Sequence, residues 1–250
     1  MKRFENQVAI ISGAADGLGK GIAERIASEG GSVALFDTNE KGLLQTLHEF
    51  RTRGFVAESY VVDISSDSAV QKAIQAAETK FGKIDIMVNS AGIIGPTNTK
   101  ITEYKVEDYD TIYSVNLRGS FLMTKYSVRA MEKHNYGRIL LLASIAGKEG
   151  NPFMTGYSSM KAGVIGLVKG IGKEYAETGI TVNGLAPAVI KTAMNENTAP
   201  EQLAYMTAKI PMKRLGTVAE VAALSAWIVS KESSFTTGFI FDISGGRATY

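Results

Sequence analysis

No cysteine occurs among the 250 residues of this chain, which excludes disulfides, thiolate metal ligands and a cysteine nucleophile. Histidine is nearly absent: only His48 and His134 are present, both in polar stretches. A histidine-built zinc site or a Ser-His-Asp triad is therefore not expected, and no metal is expected. The net charge is only +2, and the 27 basic residues are scattered rather than clustered. No strong pull on nucleic acid or on a membrane surface follows from that. No apolar run is long enough to span a bilayer, and the polar residues 1–6 do not read as a signal peptide. The expectation is a soluble cytoplasmic protein whose partner is a small molecule. No repeat, linker or low-complexity segment divides the chain, so a single domain over residues 1–250 is expected. With 45% hydrophobic residues, one sizeable core is affordable.

What is present alternates. Short apolar, β-branched runs at 7–12, 32–36, 55–62, 84–88, 138–143, 180–185 and 239–242 read as strands buried on both faces. Helical patterns separate them, at 40–53, 67–81, 103–130 with a break near Gly119, from Tyr157 to about residue 177, and at 217–230. Alternation of this kind predicts an α/β fold, a doubly wound parallel sheet of about seven strands with helices on both faces. The first strand runs into Gly13-Ala14-Ala15-Asp16-Gly17-Leu18-Gly19 and then a helix. Glycines there let the backbone approach a pyrophosphate, and a helix N-terminus offers it free N–H groups; a tight turn without a ligand is the plain alternative. Asp37 ends the second strand, about 20 residues beyond the glycines, where a carboxylate can accept from both hydroxyls of an adenosine ribose. No Arg or Lys occupies positions 14, 15, 16 or 38, where a 2′-phosphate would need one. NAD rather than NADP is the expected cofactor.

Other polar residues also stand at strand ends. Asp63 either meets an adenine amino group or, with Ser65 or Ser66, caps the next helix. Asn89-Ser90-Ala91-Gly92 is a small-residue stretch that lets a flat ring pass close to the backbone. Asn116 is a poor helix-interior residue inside a helical pattern, which suggests a local job. Ser144 directly follows the fifth strand. Tyr157 and Lys161, four apart, share a helix face. An ammonium beside a phenol favours the phenolate, and about 3 pKa units would be needed to make it a base near neutral pH. Residues 188–212, rich in Thr, Met and Asn, read as a lid.

Together these motifs resemble the short-chain dehydrogenase/reductase family, over the whole chain. Gly13, Gly17 and Gly19 match its glycine turn, and Asn89-Ser90-Ala91-Gly92 matches an Asn-Asn-Ala-Gly segment with Ser in place of the second Asn. Asn116, Ser144, Tyr157 and Lys161 match its active-site set. Pro187-Ala188 departs from the usual Pro-Gly pair, while Thr192 matches a carboxamide-binding position. The resemblance implies a Rossmann-type fold and an NAD-dependent interconversion of a secondary alcohol and a ketone. Tyr157 would act as general acid/base, with Lys161 lowering its pKa and holding the nicotinamide ribose. Ser144 would bind the substrate oxygen, and Asn116 would hold a water linking Lys161 to solvent. It also implies that the dinucleotide meets Gly13, Asp16, Gly17, Leu18, Gly19, Asp37, Asp63, Ile64, Asn89, Ala91, Gly92, Tyr157, Lys161, Pro187, Ile190 and Thr192. Many members are tetramers, and a homotetramer is expected. The overall sequence, with the ending Ser-Gly-Gly-Arg-Ala-Thr-Tyr, is similar to bacterial sugar-acid dehydrogenases. Lys148 and Lys191 are then the cations that would meet a substrate carboxylate, beside Ser144 and Tyr157; for each, a solvated surface lysine is the alternative. A 3-oxoacyl-carrier-protein reductase and a dehydrogenase of neutral cyclic or steroid alcohols are the competing readings.

Overall fold

Seven parallel strands form the central sheet of the protein, in the order β3-β2-β1-β4-β5-β6-β9. Residues 2–192 and 200–248 are described by the structure, a computed structural model. In chain order the first half comprises β1 (Val8–Ser12), α1 (Gly17–Ser28), β2 (Ser32–Asp37), α2 (Glu40–Thr52), β3 (Ala57–Val61), α3 (Asp67–Phe81), β4 (Ile86–Asn89) and α4 (Val106–Ile112). Then come α5 (Gly119–Glu132), β5 (Gly137–Leu142), α6 (Ile145–Glu149), α7 (Thr155–Glu174) and β6 (Ile180–Pro187). The chain closes with β7 (Ile190–Lys191), α8 (Pro200–Ala208), β8 (Gly216–Thr217), α9 (Val218–Ile228) and β9 (Ile240–Ile243).

The strands are apolar on both faces because each face carries its own core. Along β1, Val8 and Ile10 pack into one cluster with Met87, Leu122, Met123, Val164 and Val168. Ala9 and Ile11 pack into the other with Ile22, Ile26, Leu43, Phe50 and Val221. Alternation along an extended strand produces this split. It seats α3, α5 and α7 on one face and α1, α2 and α9 on the other. Burial of each large side chain contributes about 1.5–3 kcal/mol relative to exposure.

The first reversal of strand order falls between β1 and β4, since the chain extends outward through β2 and β3 and then returns to the far side of β1. Loops leaving the strand ends separate there, and a crevice opens.

Two expectations need correction. The 103–130 pattern is not one helix broken at Gly119: residues Tyr113–Arg118 form a π turn between α4 and α5. α7 ends at Glu174, short of residue 177. The segment expected as a lid, 188–212, follows β6, and its β7 pairs with β8 in a separate two-stranded sheet. α8 lies within the segment, whereas residues 193–199 lie outside the described residues. Among the described residues, no helix is long and apolar enough to cross a membrane.

Candidate active site

A cleft of about 560 Å³ runs across the C-terminal ends of β1, β2, β4, β5 and β6. It is lined at one end by the glycine turn and Asp37, and at the other by Ser144, Tyr157, Lys161, Pro187 and Thr192. Asp16, Leu18, Asp63, Ile64, Ala91, Gly92 and Ile190 also line it.

The floor of the cleft is a chain of buried hydrogen bonds. The Ser12 hydroxyl donates to Asn89 Oδ1 at 2.5 Å, and its oxygen accepts from the N–H groups of Ser90 and Ala91. Asn89 Nδ2 donates to Ser120 Oγ, which donates to the carbonyl of Asn116. Asn89 is only 2% exposed, so it holds the floor from beneath and does not line the cleft. Gly13 presses onto this floor. A Cβ there would lie 2.9 Å from the nitrogen of Ala91, and the residue has φ +68°, so only glycine fits. At Gly19 a Cβ would lie 2.1 Å from the carbonyl oxygen of Gly13.

α1 starts at this turn without a side-chain cap, although Asp16 stands at its N-cap position. By contrast α2, α3 and α9 are capped by Asn39, Ser66 and Thr217. The first N–H groups of α1 are thus left to meet an anion in the cleft. Asp37 accepts from the N–H of Ala15 at 3.0 Å through Oδ2 and from Asn39 at 2.9 Å through Oδ1. Each carboxylate oxygen keeps a further lone pair for a ribose hydroxyl. Asp63 is exposed and accepts from the N–H and hydroxyl of Ser65, while capping of α3 falls to Ser66. These features together fit an adenine dinucleotide without a 2′-phosphate.

At the other end Ser144 caps α6, accepting from the N–H of Ala146 at 3.1 Å. With its oxygen so engaged, its own O–H is directed to the phenol of Tyr157, with which it hydrogen-bonds. Tyr157 and Lys161 sit on the first turns of α7. Lys161 is 6% exposed and donates from Nζ to the carbonyl of Leu142 at 2.6 Å. Burial lowers its pKa to about 8. Its ammonium lies 5.7 Å from the centre of the Tyr157 ring. The expected downward pull on the phenol is not what the structure shows: burial raises the pKa of Tyr157, and a hydrogen bond with Ser144 opposes that rise.

Asn116 sits in the π turn and grips Ile93 with both ends of its amide: Oδ1 accepts from the N–H and Nδ2 donates to the carbonyl, both at 2.8 Å. The side chain therefore clamps the backbone just after Gly92. Lys148 donates to Asp242 Oδ2 at 2.8 Å with its side chain 9% exposed. Lys191 is exposed on β7. Neither lysine is among the residues lining the cleft. Val62, Ile93, Ile94 and Val115 do line it and were missed, because an apolar wall residue gives no chemical signal. Among the described residues, no group of three or more His, Cys, Asp or Glu side chains converges as a metal site would require.

The model of the family described as enoyl-(acyl carrier protein) reductase matches residues 13–248. A 2-dehydro-3-deoxy-L-rhamnonate dehydrogenase (NAD(+)) from Sphingomonas sp. (strain SKA58) is 43% identical over 248 residues, covering 99% of this chain and 98% of that protein. A 3-oxoacyl-(acyl-carrier-protein) reductase from Thermotoga maritima is 35% identical over 244 residues, covering 98% of each. The crystal structure of an NAD+-bound xylitol dehydrogenase superposes with a TM-score of 0.93 at 31% identity, covering 98% of this chain and 100% of that one.

Proposed function

The chain belongs to the short-chain dehydrogenase/reductase family, as an oxidoreductase of CH–OH groups, and we propose that it oxidises a secondary alcohol of a small acidic sugar derivative with NAD. The observation that carries this reading is the convergence of Ser144, Tyr157 and Lys161 on the cleft that also holds Asp37. The Sphingomonas relative supports the substrate class, since the substrate it is named for is a keto-deoxy sugar acid. When bound, the nicotinamide ring supplies the chemistry of hydride exchange.

The chain's own residues would do the following. The glycine turn and the uncapped start of α1 bind the pyrophosphate, and Asp37 binds the adenosine ribose. Asp63 and Ile64 wall the adenine end. Ala91 and Gly92 lie along the ring's path, and Pro187, Ile190 and Thr192 border the carboxamide end. Tyr157 exchanges the proton of the substrate oxygen. Ser144 donates to that oxygen and stabilises charge as it develops. Lys161 keeps two N–H groups beyond the one given to Leu142, and with these it holds the nicotinamide ribose, while the hydrogen bond from Ser144 is what favours the phenolate. Asn116 fixes the backbone at Ile93, so the cleft wall keeps its shape through the cycle. The segment over 188–212 acts as the lid.

For the acid group, Lys191 follows directly on Ile190 of the cleft wall and precedes Thr192. Lys148 serves only if it leaves Asp242. The same reading places the enzyme in the cytoplasm, where NAD is at hand, and as a homotetramer. The outer face of α7 offers an apolar depression of about 510 Å³ bordered by Gly163, Gly166, Gly170, Tyr113 and Phe121. Phe235, fully exposed near the chain's end, offers a second face for another copy.

A second reading, reduction of 3-oxoacyl thioesters, is favoured by the Thermotoga relative and the family model's description. A screen of sugar acids, neutral alcohols and a 3-oxoacyl thioester, each with both cofactors, separates the two. NADH formation with a sugar acid supports the first. NADPH-dependent reduction of the thioester alone overturns it.

A further inference from the structure

α6 is only five residues long, yet Ser144 stands at its head. A helix this short does not hold itself in place, because nucleation uses most of what its hydrogen bonds supply. One side of α6 is fixed by contact: a Cβ at Gly147 would lie 2.6 Å from the carbonyl carbon of Lys161 and 2.8 Å from the nitrogen of Ala162. The other side is held by charge from the far end of the chain. Lys148 donates to Asp242 of β9 at 2.8 Å. Arg247 donates to Glu149 Oε2 through Nε at 3.0 Å and through Nη2 at 2.7 Å, and Nη2 also reaches Asn151 Oδ1 at 3.3 Å. The Lys148 and Arg247 side chains are 9% and 11% exposed and their carboxylate partners 24% and 29%, so the cations are largely shielded from the water that weakens fully exposed pairs. The turn that carries Arg247 is itself tied to the segment after α8, because the carbonyl of Gly245 accepts from the N–H of Met212 at 3.1 Å.

We propose that Arg247 and Asp242 are positioning residues for Ser144, and that the C-terminal turn couples the return arm of the 188–212 segment to the hydroxyl that meets the substrate oxygen. The proposal rests on the reading of Ser144 given above. The physical reason is reach. Hydrogen-bonded catalysis tolerates little displacement, and about 1 Å of misplacement can cost about a hundredfold in rate. Without Arg247, Glu149 loses this ion pair and the Asn151 side-chain oxygen loses its donor, and the end of α6 is held by its packing on α7 and by Lys148.

Three readouts test it: kcat and KM with 2-dehydro-3-deoxy-L-rhamnonate, the NADH dissociation constant, and hydrogen exchange at the Ala146 amide, which donates to Ser144. In Arg247→Met, kcat should fall about tenfold to a hundredfold. KM and NADH binding should stay within about twofold, and the Ala146 amide should exchange about tenfold faster. Asp242→Asn should move the same readouts in the same direction. Exchanging the charges, Glu149→Arg with Arg247→Glu, should recover both kcat and protection. Wild-type kcat and protection in both single variants would overturn the proposal. So would a loss of kcat with Ala146 still protected, since Arg247 would then act on the substrate itself. If the exchanged protein does not fold, the paired behaviour of the two single variants decides. If the wild-type enzyme does not turn over this sugar acid, the substrate reading fails, and exchange at Ala146 still decides whether the clamp exists.

Discussion

Lys161 donates to the carbonyl of Leu142 at 2.6 Å from a position 6% exposed. Its pKa is lowered by burial from 10.5 to about 8. Between those values the unfolded chain holds a proton that the folded protein has given up. Stability therefore rises with pH across that window, and the full cost of the buried charge is present below about pH 8. A shift of this size corresponds to roughly 3 kcal/mol. Lys161→Met removes the charge but leaves the Leu142 carbonyl without its donor, at about 1–3 kcal/mol. The melting temperature of the variant relative to wild type should be highest near pH 7 and should decline towards pH 10. A relative stability that rises over this range would contradict the assignment.

Asp37 sets the cofactor. Its carboxylate is oriented by the N–H groups of Ala15 and Asn39, so it cannot swing away from a 2′-phosphate without giving them up. We expect kcat/KM with NAD to exceed that with NADP by more than about tenfold, the effect of roughly 1.4 kcal/mol of repulsion. In Asp37→Asn the preference should shrink by about the same factor. Steady-state kinetics with both cofactors checks this, and equal efficiencies in the wild-type protein would contradict it.

Much of this was legible in the sequence where physics acts locally. The strand runs are apolar on both faces, and α3 spans residues 67–81 as its pattern predicts, with Ser66 as the cap. Gly13, Asp37, Ser144, Tyr157 and Lys161 reach one cleft because each stands at or just beyond a strand's C-terminal end, or on the helix that packs there. What was not legible depends on distance in sequence or on subtle backbone geometry. The π turn at 113–118 has no residue pattern of its own, although the awkward Asn116 marked it. α6 is too short to show periodicity. The Lys148–Asp242 pair joins residues 94 positions apart, and no local reading could find it.

Charge recognition separates the two lysines. Lys191→Met should lower kcat/KM for an acidic substrate by about tenfold to a hundredfold, the effect of losing one charge-assisted hydrogen bond worth about 1.5–3 kcal/mol. Activity on a neutral alcohol should barely change. Lys148→Met should instead resemble Asp242→Asn, lowering kcat for acidic and neutral substrates alike. The NADH dissociation constant, measured alongside, guards against a disturbed Thr192. A loss confined to acidic substrates in the Lys148 variant would show that this lysine leaves Asp242 to meet the substrate.

Assembly should respond to the face of α7. A Cβ added at Gly166 or Gly170 meets nothing within 4 Å in the monomer, so these positions are open for another copy. Gly170→Glu should shift a tetramer towards smaller species in light scattering at micromolar concentration, with the monomer fold unaltered by circular dichroism. A wild-type monomer under those conditions would contradict the expected assembly.

The central claim is that Tyr157 handles the proton of a sugar-acid alcohol while NAD takes the hydride. The most direct test measures NADH in single-turnover and steady-state reactions of the wild-type protein and Tyr157→Phe. The substrate is 2-dehydro-3-deoxy-L-rhamnonate, which itself carries secondary hydroxyls and is the compound the Sphingomonas relative is named for, or a related keto-deoxy sugar acid, and NADH binding is titrated separately. Turnover should be present in the wild type and fall to at most a few per cent in the variant, an order-of-magnitude threshold set by the loss of general acid/base catalysis. NADH binding should be unchanged within about twofold, because only a hydroxyl is lost. A variant that keeps most of its turnover, or a wild-type protein that reduces 3-oxoacyl thioesters with NADPH and leaves every sugar acid untouched, would contradict the account.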